Sequence, residues 1–352
     1  MAFQTDHASS PASVHLLQDE ATGLDGVIVL HSTTLGPAAG GCRFWAYPDR
    51  EAMITDACRL AEGMSYKVAL ADLPLGGGKA VIRRPEGAFD RDALFRAFGR
   101  AVNALRGGYV TAEDVGTSVG DMAVVREQTR HVAGLPAGTD GLGGDPSPWT
   151  ARGVFLSMQL AAERRLQRPL SECTVAVQGV GNVGAALAEM LHRAGARLIV
   201  ADVDAKAAAR VAIATGATVA SVSSILSARA DIFAPCALGG VINHATVGAL
   251  KAKLVCGAAN NQLAEPADGE RLADRGILYA PDYVVNAGGI INVAAEYLGW
   301  SRDDATARVE GTAERLARVL DHAAKAGMAP HAAADLLARQ AIAAGCAARR
   351  AA

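Results

Sequence analysis

The residues of this chain that could do chemistry gather at two places. The first is Leu75-Gly76-Gly77-Gly78-Lys79-Ala80-Val81-Ile82, with a second lysine upstream in Gly63-Met64-Ser65-Tyr66-Lys67. Three consecutive glycines carry a large conformational-entropy penalty, and they are expected where a bound molecule must lie against bare backbone. Lys79 opens an apolar run, which puts it at the start of a buried strand. An amine held there loses its proton readily, because desolvation and a nearby cation both disfavour the ammonium form. Lys67 is the candidate for that cation. Most lysines here read as solvated surface groups; the glycines and the apolar run set Lys79 apart as a catalytic amine.

The second place is Gly179-Val180-Gly181-Asn182-Val183-Gly184, which follows the strand-like TVAVQ and precedes the helical AALAEMLHRAG. This is G-x-G-x-x-G in the context it needs. The first glycine permits a tight turn, the second lets a pyrophosphate reach the backbone, and the third lets helix pack on strand. The helix N-terminus attracts the phosphates. The next strand-like segment ends in Asp202, about 20 residues on, where a carboxylate meets the ribose hydroxyls. It would repel a 2′-phosphate, so NAD is expected over NADP. A nucleoside-dependent methyltransferase is the structural competitor.

The elements that must position these groups follow from periodicity. Residues 14–33 read as two strands around a turn at 20–26, and Pro48-Asp49 opens a helix with Ile54, Ala57, Leu60, Ala61 and Met64 on one face. A second amphipathic helix covers 90–105, and short strands fall at 79–82 and 109–111. Residues 135–148 are dense in Gly and Pro and read as a linker and hinge. Beyond them, strands at 174–178, 197–202, 231–235 and 253–257 alternate with helices, the pattern of βαβ units on a parallel sheet. From residue 303 the chain reads as wholly helical, split near Gly327 and Pro330.

Bulk properties bound the function. The chain has 352 residues, 34 basic and 36 acidic, so no basic face marks a nucleic-acid partner. The six cysteines form no C-x-x-C pair and sit at no zinc-ligand spacing, so they read as reduced, buried thiols and no metal is expected. No apolar stretch is long enough to span a membrane and residues 1–13 do not look like a leader, which points to the cytoplasm. The eight histidines form no His–carboxylate constellation of the 2-hydroxy-acid dehydrogenase kind.

Several long motifs now carry a resemblance. GPAAGG (36–41), GMSYK (63–67), LPLGGGK (73–79), TAEDVGT (111–117), VQGVGNVG (177–184), APCALGG (234–240), AANNQL (258–263) and YAPDYVVNAGGIINVA (279–294) occur in order over nearly the whole chain. On these the chain resembles the glutamate/leucine/phenylalanine/valine dehydrogenase family, and within it the leucine dehydrogenase branch. The resemblance implies an α/β fold of two domains with a cleft between them. A substrate and dimerisation domain would cover 1–134, with the C-terminal helix 328–352 folding back on it. A Rossmann NAD-binding domain would cover 135–327. It implies reversible oxidative deamination of an L-amino acid to a 2-oxo acid and ammonia.

By the same resemblance Lys67 binds the substrate carboxylate, Lys79 activates the attacking water, and Asp114 shuttles protons at the amino group. Without it, the lesser alternative for Asp114 is a helix-capping carboxylate before Val115–Gly116. Ala39, Gly40, Met64, Ala112, Ile290 and Val293 would line the substrate site and Asn261 would touch the substrate. Thr150, Cys236, Ala237 and Asn260 would border the nicotinamide. Glutamate-specific members carry a lysine at the position of Ala39 and a serine near Val293, so an apolar substrate is expected. Ala112 and Ile290 favour leucine, valine or isoleucine, whereas the small Ala39 leaves phenylalanine open. A homo-oligomer, dimer or octamer, is implied. A non-catalytic dinucleotide sensor would lack Lys67, Lys79 or Asp114, and all three are present.

Overall fold

The computed structural model describes residues 11–138 and 142–351. Residues 1–10, most of the stretch read as lacking a leader, and residues 139–141 of the expected linker lie outside the described residues. The chain divides into two compact units.

The first unit comprises Met1–Asp145, Asn292–Ala305 and Ala338–Ala352. Its strands and helices run β1 (Ser13–Asp19), β2 (Leu24–Ser32), β3 (Ala38–Trp45), α1 (Arg50–Leu70), β4 (Gly76–Arg83), α2 (Arg91–Ala104), β5 (Tyr109–Glu113) and α3 (Val119–Arg126). The sheet order is β1-β2-β4-β3-β5. The β3–β4 and β3–β5 pairs are parallel, and β2 runs antiparallel to both β1 and β4. Alternation along the strands separates two faces. Val27, Val29 and Val81 pack under Met53, Ala57, Leu60 and Ala61 of α1. Ile28, Cys42, Phe44, Ala80 and Ile82 meet Leu94, Phe95, Phe98 and Val102 of α2 and Met122 and Val125 of α3. The Asp49 carboxylate starts α1 by accepting the Ala52 N–H at 2.8 Å. Ser118 and Asp121 form a capping box on α3.

The glycine triplet has a different cause from the one expected. Gly76, Gly77 and Gly78 all lie within β4. A Cβ on Gly77 would fall 2.0 Å from the Ser65 backbone nitrogen, and one on Gly76 would fall 2.0 Å from the Ser32 carbonyl oxygen. The protein's own backbone, from α1 and β2, fills the space the missing side chains leave.

The second unit comprises Pro146–Ile291 and Thr306–Leu337. Its elements are α4 (Ser147–Leu166), β6 (Thr174–Gln178), α5 (Asn182–Arg193), β7 (Arg197–Ala201), α6 (Ala205–Thr215), β8 (Thr218–Val219), β9 (Ile232–Pro235), β10 (Leu254–Val255), α7 (Pro266–Asp274), β11 (Leu278–Tyr279) and α8 (Asp282–Val285). Helices α9 (Gly288–Leu298), α10 (Arg302–Glu310), α11 (Thr312–Ala326) and α12 (Pro330–Ala351) follow. The sheet is wholly parallel in the order β11-β10-β9-β6-β7-β8. Connections leave β6 toward β7 and β8, then reverse to β9, β10 and β11. That makes a Rossmann sheet whose switch point lies between β6 and β9.

The division at Asp145 differs from the boundary read after residue 134. Physically, the Glu296 carboxylate accepts the Gly134 and Leu135 N–H groups at 2.7 and 3.1 Å, and Gly144 N–H donates to the Leu135 carbonyl at 2.7 Å. These bonds hold the linker to the first unit. The returning C-terminal segment joins that unit from Ala338 rather than from residue 328. Among the described residues no helix is long and apolar enough to cross a membrane.

Candidate active site

Lys79 sits in β4, 4% exposed, with its side chain on the α1 face of the sheet beside Val81. Its Nζ lies 2.9 Å from Oδ2 of Asp114, the residue that follows β5. Gly41 makes this approach possible, because a Cβ there would stand 2.7 Å from the Asp114 Cβ. The Asp114 N–H donates to the Thr117 hydroxyl at 2.8 Å, and that hydroxyl donates on to the Cys42 carbonyl at 3.0 Å. The loop after β5 is thereby tied to β3. α3 is capped by Ser118, so Asp114 is not the cap.

A second cation reaches Asp114, and it is Arg43 of β3, whose Nε lies 3.2 Å from the same Oδ2. Burial alone would push the Asp114 carboxyl up, but the Lys79 ammonium and the Arg43 guanidinium outweigh it and hold it below the usual carboxylate range. The pair as it stands is therefore ionic. For Lys79 to act as a base it would first have to pass its proton on, and Asp114 is the adjoining acceptor. Sequence reading missed Arg43. The available signal was an arginine between Cys42 and Phe44 in an otherwise apolar strand, where a charge needs a partner.

Of the expected substrate-pocket residues of the first unit, Gly40 and Met64 meet, with Ala39 next to Gly40 on β3 and Ala112 on the adjoining β5. A Cβ on Gly40 would strike the Gly78 carbonyl at 1.9 Å and approach the Met64 Cγ at 3.4 Å. Ala39 pairs with Gly77 in register, and Gly41 with Ala112. Ala39, Ala112 and Val293 are buried, and Lys67, one helical turn past Met64 on α1, is half-buried. Ile290 and Asn261 belong to the second unit, where Ile290 is buried and Asn261 is exposed with a left-handed backbone, φ 51°.

In the second unit the glycine turn leaves β6 at the switch point. Gly179 adopts φ 90°, and a Cβ on it would meet Ala237 at 2.8 Å. A Cβ on Gly184 would stand 2.0 Å from the Gly179 carbonyl oxygen and 3.3 Å from the Cys236 Cβ. Gly181, by contrast, faces open space and caps α5 with no side-chain hydrogen bond. Asn182 and Val183 open α5, where N–H groups have no acceptor within the helix, and such groups beside open space are what a pyrophosphate requires. The Asp202 carboxylate accepts the Val180 N–H at 2.7 Å and the Asp204 N–H at 2.8 Å. About half of its roughly four lone-pair positions remain for a ribose diol.

Thr150, in the first turn of α4, lies against Gly289, whose Cβ would meet its Oγ1 at 2.8 Å. Asn260 receives a hydrogen bond at 2.9 Å from Asn286 Nδ2, which also donates to the Ala258 carbonyl. The backbone of Gly239 packs on Asn260 and Asn261, which joins the Cys236–Ala237 loop to the asparagine loop. The residues present thus fit a dinucleotide. Asn286, which sets the Asn260 amide so that its oxygen faces inward, was missed because its partner lies on a separate loop.

Comparison with known proteins agrees with this geometry. The profile of the Glu/Leu/Phe/Val dehydrogenase dimerisation domain matches residues 11–131. That of the glutamate/leucine/phenylalanine/valine dehydrogenases matches residues 144–210 and 205–350. A leucine dehydrogenase of Thermoactinomyces intermedius is 47% identical over 93% of this chain and 89% of its own. A valine dehydrogenase of Streptomyces albus is 46% identical over 97% and 94%. The crystal structure of L-tryptophan dehydrogenase from Nostoc punctiforme superposes with a TM-score of 0.80 at 40% identity, covering 95% of this chain and 96% of that one. The chain belongs to the glutamate/leucine/phenylalanine/valine dehydrogenase family.

Proposed function

We propose that the chain catalyses NAD-dependent, reversible oxidative deamination of a hydrophobic L-amino acid, with Lys79 and Asp114 as its proton-handling pair. The observation that carries this is the buried 2.9 Å contact between Lys79 Nζ and Asp114 Oδ2. Lys79 first passes its proton to Asp114, which releases it to solvent and returns to the carboxylate. Asp114 then takes a proton from the substrate amino group, leaving the neutral amine. A bound nicotinamide would supply the acceptor for the hydride from the α-carbon. The neutral Lys79 takes a proton from the water that attacks the resulting imine, Asp114 returns its proton to the nitrogen, and the carbinolamine collapses to 2-oxo acid and ammonia. Each step needs a positioned acid–base group, worth about 10²–10⁴-fold. Lys67 neutralises the substrate carboxylate. Thr150, Val180, Asn182, Val183, Asp202, Cys236, Ala237 and Asn260 hold the dinucleotide, and Asn261 contacts the substrate.

Ala39, Ala112, Ile290 and Val293 offer a side-chain carboxylate no partner, and burying one unpaired costs several kcal/mol. The reading is a branched aliphatic substrate, leucine, valine or isoleucine, with phenylalanine as the alternative that the small Ala39 favours. A panel of L-amino acids followed by NADH absorbance tests it. Turnover with leucine and valine above that with phenylalanine supports the assignment, and preference for glutamate overturns it. The chain also assembles with copies of itself, as a dimer or an octamer. Val14 and Leu16, 42% and 58% exposed on the edge strand β1, support this, since an open apolar edge invites pairing. Light scattering on eluting protein decides the number.

A further inference from the structure

We infer that Arg43 is a positioning residue that holds Asp114 by one oxygen and favours its anion once Lys79 is neutral, leaving the other oxygen for the substrate amine. The inference rests on the reading of Asp114 as proton acceptor given above.

Lys79 Nζ and Arg43 Nε converge on the same atom, Oδ2 of Asp114, at 2.9 and 3.2 Å. Oδ1 has no hydrogen-bond donor among the described residues, although the side chain is only 15% exposed. The convergence fixes the carboxylate about its last bond and leaves Oδ1 as the free acceptor. Arg43 is itself fixed at its other edge, where Nη1 donates to Asp56 Oδ2 on α1 at 2.9 Å. That oxygen also accepts the Tyr47 hydroxyl at 2.5 Å. Burial first, then the hydrogen bond to Asp56, pushes the Tyr47 phenol up, so Tyr47 remains a donor. A guanidinium suits this post because its planar fork can serve two carboxylates from different edges, which an ammonium on a flexible stem cannot do in one geometry.

The titratable groups whose charges interact with Asp114 come from three strands. They are Lys79 of β4, Arg43 and the Cys42 thiol of β3, and Tyr109 and Glu113 of β5. Asp56 and Tyr47 act on it through Arg43. Of the cations among these, Lys79 is the one whose charge must change during turnover. Once it gives up its proton, burial would drive Asp114 to the neutral acid, and a neutral acid cannot accept the next proton from an amine. Arg43 never loses its charge, so it supplies the attraction that returns Asp114 to the anion while Lys79 is neutral, ready for the amine proton.

The test uses the full-length enzyme, L-leucine and NAD, with kcat/KM measured from pH 6 to 11. Arg43→Gln removes a positive charge from beside Asp114, which raises its pKa. The acid limb that Asp114 sets moves to higher pH by about one to two units, and kcat/KM on the acid side falls about tenfold per unit. The KM for NAD stays unchanged. Arg43→Lys restores the charge, so the limb returns to within about half a unit of wild type, while the KM for leucine stays raised severalfold because one ammonium cannot bridge Asp114 and Asp56. Should Arg43→Gln not fold, Arg43→Lys carries the test alone, and an unaltered KM for leucine overturns the inference. Wild-type turnover together with an unmoved limb in Arg43→Gln also overturns it, leaving the deaminase reading intact. A wild-type enzyme that forms no NADH from any amino acid overturns that reading and the inference with it.

Discussion

Two glycines of the turn after β6 separate the needs of the fold from those of the dinucleotide. At Gly184 an added Cβ would stand 2.0 Å from the Gly179 carbonyl oxygen, where ordinary contact begins near 3.4 Å, so about 1.4 Å must be recovered. Gly179 cannot retreat, because it is held at φ 90° against Ala237. Gly184→Ala therefore forces α5 off β6 at a cost of about 3 kcal/mol, the upper end of overpacking. At about 2–4 °C per kcal/mol for a unit of this size, Tm falls by about 6–12 °C. Gly181→Ser has the opposite sign for stability. Nothing lies within 4 Å of its Cβ, the backbone is extended, and serine is at least as good a helix N-cap as glycine. Tm holds or rises, while the side chain occupies the space a pyrophosphate needs and its hydroxyl takes the N–H group the phosphate would use. NAD affinity falls at least about tenfold, 1.4 kcal/mol. Thermal unfolding without ligand and calorimetric titration with NAD read the two quantities separately. Gly184→Ala with wild-type Tm refutes the packing argument, and Gly181→Ser with wild-type NAD affinity refutes the phosphate assignment.

Two further outcomes follow from charges in the structure. Asp121 is 6% exposed and accepts bonds from Arg91 at 2.7 and 2.9 Å and from Ser118; against the effect of burial, these hold its carboxyl below the usual range. A depressed folded-state pKa stabilises above the unfolded value of about 3.9 and is lost as pH falls through the folded value. Urea unfolding from pH 7 down to 3 should therefore show wild-type stability declining at the acid end and Asp121→Asn declining less; parallel curves contradict the pairing. Asp202→Ala strips the Val180 and Asp204 N–H groups of their acceptor. NAD binding weakens about tenfold and the preference over NADP narrows, and an unchanged ratio counts against the ribose role.

The second unit was the more legible in sequence because each of its signals is local. TVAVQ, the glycines and Asp202 lie within one βαβ segment, and the parallel sheet follows from its alternation with helices. The first unit was read less fully. β3 escaped because Ala38, Ala39, Gly40 and Gly41 carry little strand propensity, and they are strand because β4 and β5 flank them at close range. α3 escaped because it is short, and its capping box begins at Ser118, four residues past the Asp114 that drew attention. The glycine triplet was located correctly but explained by the wrong neighbour, since proximity of Ser65 to Gly77 is a tertiary fact. Arg43 and Asn286 act through residues distant in sequence, and no spacing rule reaches across such gaps. The 135–138 segment reads as a linker by composition, and its ties to the first unit are tertiary: Glu296, more than 150 residues later, accepts the Leu135 N–H, and Leu135 packs on the core under α2.

The Lys79–Asp114 pair is the account's centre, and single-turnover kinetics on Lys79→Ala examines it most directly. Removing the amine, with NAD titrated calorimetrically in parallel, should lower kcat for leucine deamination by about 10²–10⁴-fold while NAD affinity stays within twofold of wild type. Turnover retained within tenfold of wild type would mean that another group activates the water, and the assignment of Lys79 would fall.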